Sequence, residues 1–98
     1  MKIRNGFVSN SSSASFIVVW RCLDPNIDNA KDALTKINVD DSIVEKTQKL
    51  KSNAYRTVFF TTMFNGYEDF GPEAAFMIMN LYMDNNFEII DARVEVDS

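Results

Sequence analysis

The hydrophobic pattern changes period several times along the chain, and each change marks an element. Phe16-Ile17-Val18-Val19-Trp20-Arg21-Cys22-Leu23 is β-branched and aromatic, and apolar on both faces for most of its length, as in a strand at the middle of a sheet. Asp24-Pro25 then reads as an N-cap followed by proline at the first helical position. Ile27, Ala30, Ala33, Leu34 and Ile37 recur at helical spacing, with Asp28, Lys31, Asp32 and Lys36 on the other face, so a short helix is expected from about Pro25 to Ile37. Lys51-Ser52-Asn53-Ala54 is a turn into Tyr55 to Phe64, which is strongly strand-like. A loop with an Asn65-Gly66 turn signal leads to Gly71-Pro72-Glu73, the opening of a second helix. That helix runs through Ala74, Ala75, Ile78, Met79, Tyr82 and Met83 to Asp84-Asn85-Asn86 and is apolar nearly all round, which predicts that it lies deep against the sheet. The last strand alternates most clearly, with Ile90, Ala92, Val94 and Val96 expected inward and Asp91, Arg93, Glu95 and Asp97 outward.

The segment Ser42 to Leu50 fits two readings. A helix would group Ile43, Lys46 and Leu50 in a poor apolar stripe, while a strand has only weak alternation. The strand is preferred, because lysine-rich strands commonly guard a sheet edge. The order is then βαββαβ, and right-handed crossovers give an α+β, two-layer sandwich of ferredoxin-like topology with an antiparallel sheet. Its central strands, one and three, are the most apolar; its edges, two and four, are the most charged. A helical Ser42–Leu50 would leave a three-stranded βααβαβ sheet instead. Residues 16–98 form the single α/β domain of this scheme, and residues 1–15 a serine-rich arm or loop ahead of it.

Composition narrows the function classes. The chain has 98 residues, 46% of them hydrophobic, enough for one core. Its net charge of −4 argues against a generic binder of nucleic acid or anionic membrane. Neither a signal peptide nor a run long enough to span a bilayer is legible, and the single cysteine suits a reducing compartment, so a cytoplasmic protein is expected. The absence of histidine removes the commonest general base and zinc ligand. Cys22, in an apolar strand with no histidine to activate it, is a poor nucleophile. These points predict a protein that is no enzyme and needs no cofactor or metal.

Three constellations merit attention. Asp24, Asn26 and Asp28 copy the first ligands of a calcium loop, but Asn29 stands where glycine is required and Thr35 where the bidentate glutamate belongs; helix capping explains them better. The sheet's solvent face invites comparison with RNA-recognition domains, with Phe59 or Phe60 on strand three and Trp20 or Ile17 on strand one. The glycine-aromatic signature of those domains is missing from Arg56-Thr57-Val58-Phe59-Phe60, and core packing is preferred; Lys46, Lys49, Lys51 and Arg56 could support either reading. Finally, Phe64, Tyr67 and Phe70, interleaved with Glu68 and Asp69, form an aromatic-acidic loop in which Tyr67 and Phe70 are candidate binding anchors, or else a staple for the second helix.

The most specific feature is the N-terminal run from Lys2 to Val18, with Gly6-Phe7-Val8-Ser9-Asn10-Ser11-Ser12-Ser13-Ala14-Ser15-Phe16 at its centre. It resembles the opening of a group of small, mostly uncharacterised proteins of large tailed bacteriophages and some bacteria, which begin with a GFVSNSSSSSF-like motif. Ala14 replaces one serine of the usual run. The resemblance implies a phage accessory protein that acts by binding a host or phage protein. Arg4, with the hydroxyls and amides of Ser9, Asn10, Ser11, Ser12 and Ser13, could embrace an anion or a partner's carboxylate, with Phe7 anchoring the segment. A loop that satisfies its own backbone is the structural alternative. Nucleic-acid or nucleotide binding through the sheet face or the serine-rich arm is the second functional reading.

Overall fold

The computed structural model describes residues 11–64 and 71–97. In chain order these form β1 (Ser11–Cys22), α1 (Ala30–Lys36), a 3₁₀ helix (Asp41–Lys46), β2 (Thr47–Lys49), β3 (Ala54–Phe64), α2 (Pro72–Met83) and β4 (Phe87–Asp97). The strands make one antiparallel sheet in the order β2-β3-β1-β4, so the two most apolar strands are central. The fold is α+β, and the helices pack on one face of the sheet against Val18, Trp20, Cys22, Tyr55 and Phe59.

β1 starts at Ser11, not at Phe16, so the expected serine-rich arm is corrected over residues 11–15. Its register sets Ser11 to Ser15 opposite Phe64 to Phe60 of β3, and Ser13 to Ser15 opposite Asp97 to Glu95 of β4. Serine has little preference for strands, but a place between two long strands supplies ladder partners that outweigh local propensity. The alternation already holds there, since Ala14 is buried on the same face as Val18 and Trp20.

The first helix is shorter than expected. Asp24 spends its side chain on the Asn26 amide (2.9 Å) in a turn, and Asn29 caps instead, accepting from the Asp32 amide at 2.8 Å. Ile27 lies outside α1 yet still packs on the core. The ambiguous Ser42–Leu50 segment splits between its two readings. Asp40 caps a 3₁₀ turn through the Ser42 amide (2.9 Å), Ile43 is buried beneath it, and only Thr47–Lys49 pair with β3. The following turn places Ser52 and Asn53 at φ 58° and 57°, the left-handed pair that matches the twist of a hairpin.

Two further expectations are corrected. α2 does not lie deep on all sides: Ala74, Met77 and Leu81 are buried, whereas Phe76, Met79, Tyr82 and Met83 are exposed. A helix resting on a sheet beside a second helix buries only one stripe, whatever the composition of the rest. β4 carries a bulge at the step opposite Val19/Trp20, where Ile89 pairs with Trp20, Asp91 pairs with Val19, and Ile90 is the extra residue. Phe87 and Ile89 therefore face the core ahead of the bulge, and Ala92, Val94 and Val96 share that face after it. Ala92, Val94 and Val96 are nevertheless exposed, as is Ile90. The eleven residues of β4 extend roughly 36 Å, while the twelve of α2 cover only roughly 18 Å.

The centre of the core is a stacked pair, Trp20 on Tyr55, with ring centroids 4.6 Å apart, and Phe87 closes the third side at 6.0 Å. A polar relay threads past it. Trp20 Nε1 donates to Thr57 Oγ1 (2.9 Å), Thr57 and Thr47 hydroxyls are 2.8 Å apart, and Thr47 Oγ1 donates to the Ile43 carbonyl (2.9 Å). Since the single Thr47 proton goes to Ile43, the Thr57 hydroxyl donates to Thr47, and every member is satisfied in one direction. Thr57→Val should therefore destabilise the fold by about 1–3 kcal/mol in urea unfolding, because the Trp20 N–H loses its acceptor, while Thr57→Ser should cost less.

Tyr55 is fully buried, and its hydroxyl has no hydrogen-bond partner among the described residues. Burial, followed by the nearby Cys22 and Asp28, pushes its ionisation above the ordinary tyrosine value. Below about pH 10 both folded and unfolded chains keep this proton. Above it the unfolded chain ionises first, so stability is lost as pH rises. Tyr55→Phe should match or exceed the parent by up to about 1 kcal/mol at neutral pH, and should flatten the alkaline limb of a stability-against-pH curve.

Candidate functional site

The residues nominated by sequence divide sharply. Arg4, Phe7, Ser9, Asn10, Tyr67 and Phe70 lie outside the described residues. Ser11, Ser12 and Ser13 are ladder residues of β1 opposite Phe64, Met63 and Thr62, and Ser13 has β4 on its other side at Asp97. Their backbone is engaged in the β1 ladder.

The solvent face of the sheet is also placed by register. Trp20 and Phe59 point into the helix layer, whereas Ile17 and Phe60 occupy the opposite face. Phe60 is 75% exposed, but Ile17, the β1 residue on that face, is only 2% exposed, between Val58 and Arg93. Acid and base are matched there. Arg93 donates to Glu95 at 3.0 Å and to Asp91, which hold its guanidinium yet more firmly protonated, and Arg21 pairs with Glu88 at 3.1 Å. At the β2 edge, the Lys49 amine donates to the Asp28 carbonyl and ties that edge to the loop before α1.

The calcium-like residues hold the loop rather than converge. Asp24 serves the Asn26 amide and lies 3.8 Å from Lys36, and the Asp28 carboxylate accepts from Asn29. Among the described residues no group of three or more acidic, cysteine or histidine side chains is placed to hold a metal. Cys22 is buried with a free thiol. A concavity of about 420 Å³ opens between the ends of α1 and α2, lined by Lys36, Asn38, Asn80, Met83, Asp84 and their neighbours. None of the described helices is long and apolar enough to cross a membrane.

What the structure does bring together is an apolar surface. Asn80 donates to the Ile37 carbonyl (2.8 Å) and turns its flank of α2 toward α1. Ala75, Ile78 and Tyr82 lie on the opposite flank by helical geometry, above β4. Met79, Met83 and Phe76 continue that flank onto the outer face, and Tyr82 and Met83 are among the most exposed hydrophobic residues described, at 83% and 73%. β4 beside them is an edge strand of eleven residues, in contrast to the three-residue β2 at the other edge. Sequence reasoning met this signal and assigned it to burial: the all-round apolarity of α2 served two surfaces, one internal and one external.

The two sides of α2 should respond differently to truncation. Leu81→Ala should cost about 2–5 kcal/mol by opening a cavity, whereas Tyr82→Ser and Met79→Ser should change stability by less than about 0.5 kcal/mol in thermal or urea unfolding.

Compared with protein-family models, with curated proteins and with solved structures, the chain matches none of them.

Proposed function

We propose that this chain is a small accessory protein that works by binding another protein, without catalysis, and that the outer face of α2 with the adjoining β4 edge is its contact surface. The observation that carries the reading is the set Phe76, Met79, Tyr82 and Met83, exposed together on one helix beside a strand that is an edge of the sheet among the described residues. Grouped aromatic and methionine side chains at a surface are typical of interface centres, and a monomer gains nothing from wetting them. A chain without histidine, whose one thiol is buried, supports the non-catalytic reading and gives no role to a cofactor. The N-terminal likeness to small phage proteins supports a phage accessory role, in the cytoplasm of the infected cell, with a phage or host protein as partner. The strand order β2-β3-β1-β4, with α1 after β1 and α2 after β3, supports placing the fold in the ferredoxin-like class.

Nucleic-acid binding through the open face gains one exposed aromatic, Phe60. The matched charges beside it and the net charge of −4 speak for protein contact instead. A photo-crosslinking side chain at Met79 or Tyr82 should capture a protein, while the same group at Gln48 on the β2 edge should not. Equal capture at all three positions, or none at any, would remove α2 as the contact surface.

A further inference from the structure

The geometry points to a second copy of this chain as the occupant of the α2–β4 surface, joined by antiparallel pairing of β4 with β4 about a two-fold axis near Ala92. The inference rests on the contact surface proposed above and names what covers it. Three features of the surface fit its own copy.

The first is charge. Antiparallel pairing centred on Ala92 sets Asp91 of each copy opposite Arg93 of the other, twice. These side chains already lie on one face of β4, where Arg93 contacts Asp91 and Glu95. Edge strands usually repel their kind with charge of a single sign, but the sequence Asp91-Ala92-Arg93 is self-complementary when reversed.

The second feature is shape. Val94 and Val96 are on the helix side of the sheet, half exposed, beyond the reach of their own helices. The turn Asp84–Asn86 places the C-terminal end of α2 at the Phe87 end of β4. Reversal about Ala92, with the bulge residue Ile90 passed over in each copy, brings Val94 and Val96 of one copy level with Ile89 and Phe87 of the other. It also brings Glu95 level with Glu88, acids already paired within their own chains to Arg93 and Arg21. The flank carrying Tyr82 and Met79 therefore overhangs the bare valines of its neighbour. Each copy has the cover that the other lacks.

Extent is the third: the outer edge of β4 runs for eleven residues and carries Val94 and Val96 exposed beside Met79 and Tyr82 of α2. Among the described residues the product is an eight-stranded sheet that ends at each side on a short β2 strand.

Sedimentation equilibrium of the full chain tests this. The parent should be a dimer at micromolar concentration, and Asp91→Arg or Arg93→Asp alone should weaken it at least tenfold by opposing like charges. The double swap D91R/R93D should recover to within a few-fold of the parent. Tyr82→Asp should give monomer. Circular dichroism checks that each variant is folded, and protection of β4 amides from hydrogen exchange that rises with protein concentration reports the pairing without any substitution. A parent that stays monomeric to millimolar concentration, or a double swap no better than the single reversals, overturns the second copy as occupant. If Met79 and Tyr82 then still crosslink to a different protein, the contact surface stands and only the identity of its occupant has failed.

Discussion

The donor-to-acceptor line from Trp20 through Thr57 and Thr47 to the Ile43 carbonyl holds the parts of this fold in mutual register. It touches the central strands β1 and β3, the short edge strand β2 and the 3₁₀ helix in turn. The indole needs an acceptor once it is buried against Tyr55, and Thr57, two residues along β3 on the same face, supplies it. Thr57 then needs somewhere to send its own proton, and that requirement fixes Thr47 and the end of the 3₁₀ turn. A three-residue strand has little ladder to hold it. Here its first side chain is held by a core group instead, and the hydrophobic cluster and the sheet edge are set by the same chain of bonds.

Much of this was legible from pattern. The run from Phe16 to Cys22, the hairpin into Tyr55–Phe64, the Gly71-Pro72 helix start and the long final strand all appear where residue spacing put them, and Gly71 takes a left-handed φ of 86° ahead of the proline. The failures have separate physical causes. Ser11–Ser15 are poor strand formers recruited by two long neighbours, which no local window can detect. Asp24-Pro25 has the lettering of a helix start, but Asp24 closes a turn and leaves capping to Asn29. Ser42–Leu50 defeats a single label because it contains a helical turn and a strand in nine residues. The candidate site was less legible still. Apolar side chains on a helix announce that they will be covered, and do not say by what.

The two sheet edges are protected in different ways. β2 is short, and Lys49 is drawn to the Asp28 carbonyl, so little backbone is left to recruit a strand. β4 has no such brevity. On the face opposite the helices Arg93 stands between Asp91 and Glu95, and Ala92, Val94 and Val96 lie on the other. Such an edge selects a partner by pattern rather than refusing partners altogether.

The bulge at Ile90 has a consequence for how this strand can vary. It shifts the phase of β4 by one residue, so that the odd-numbered Phe87 and Ile89 and the even-numbered Ala92, Val94 and Val96 fall on the same side of the sheet. Length at the far end of β4 can change by whole pairs of residues without altering which side is wet. Loss of one residue between Ile89 and Ala92 would only abolish the bulge and leave Ala92 opposite Val18 as before, whereas gain or loss of one residue beyond the bulge would turn the following valines to the charged side. In this strand, insertion and deletion are read as inside and outside before they are read as longer and shorter.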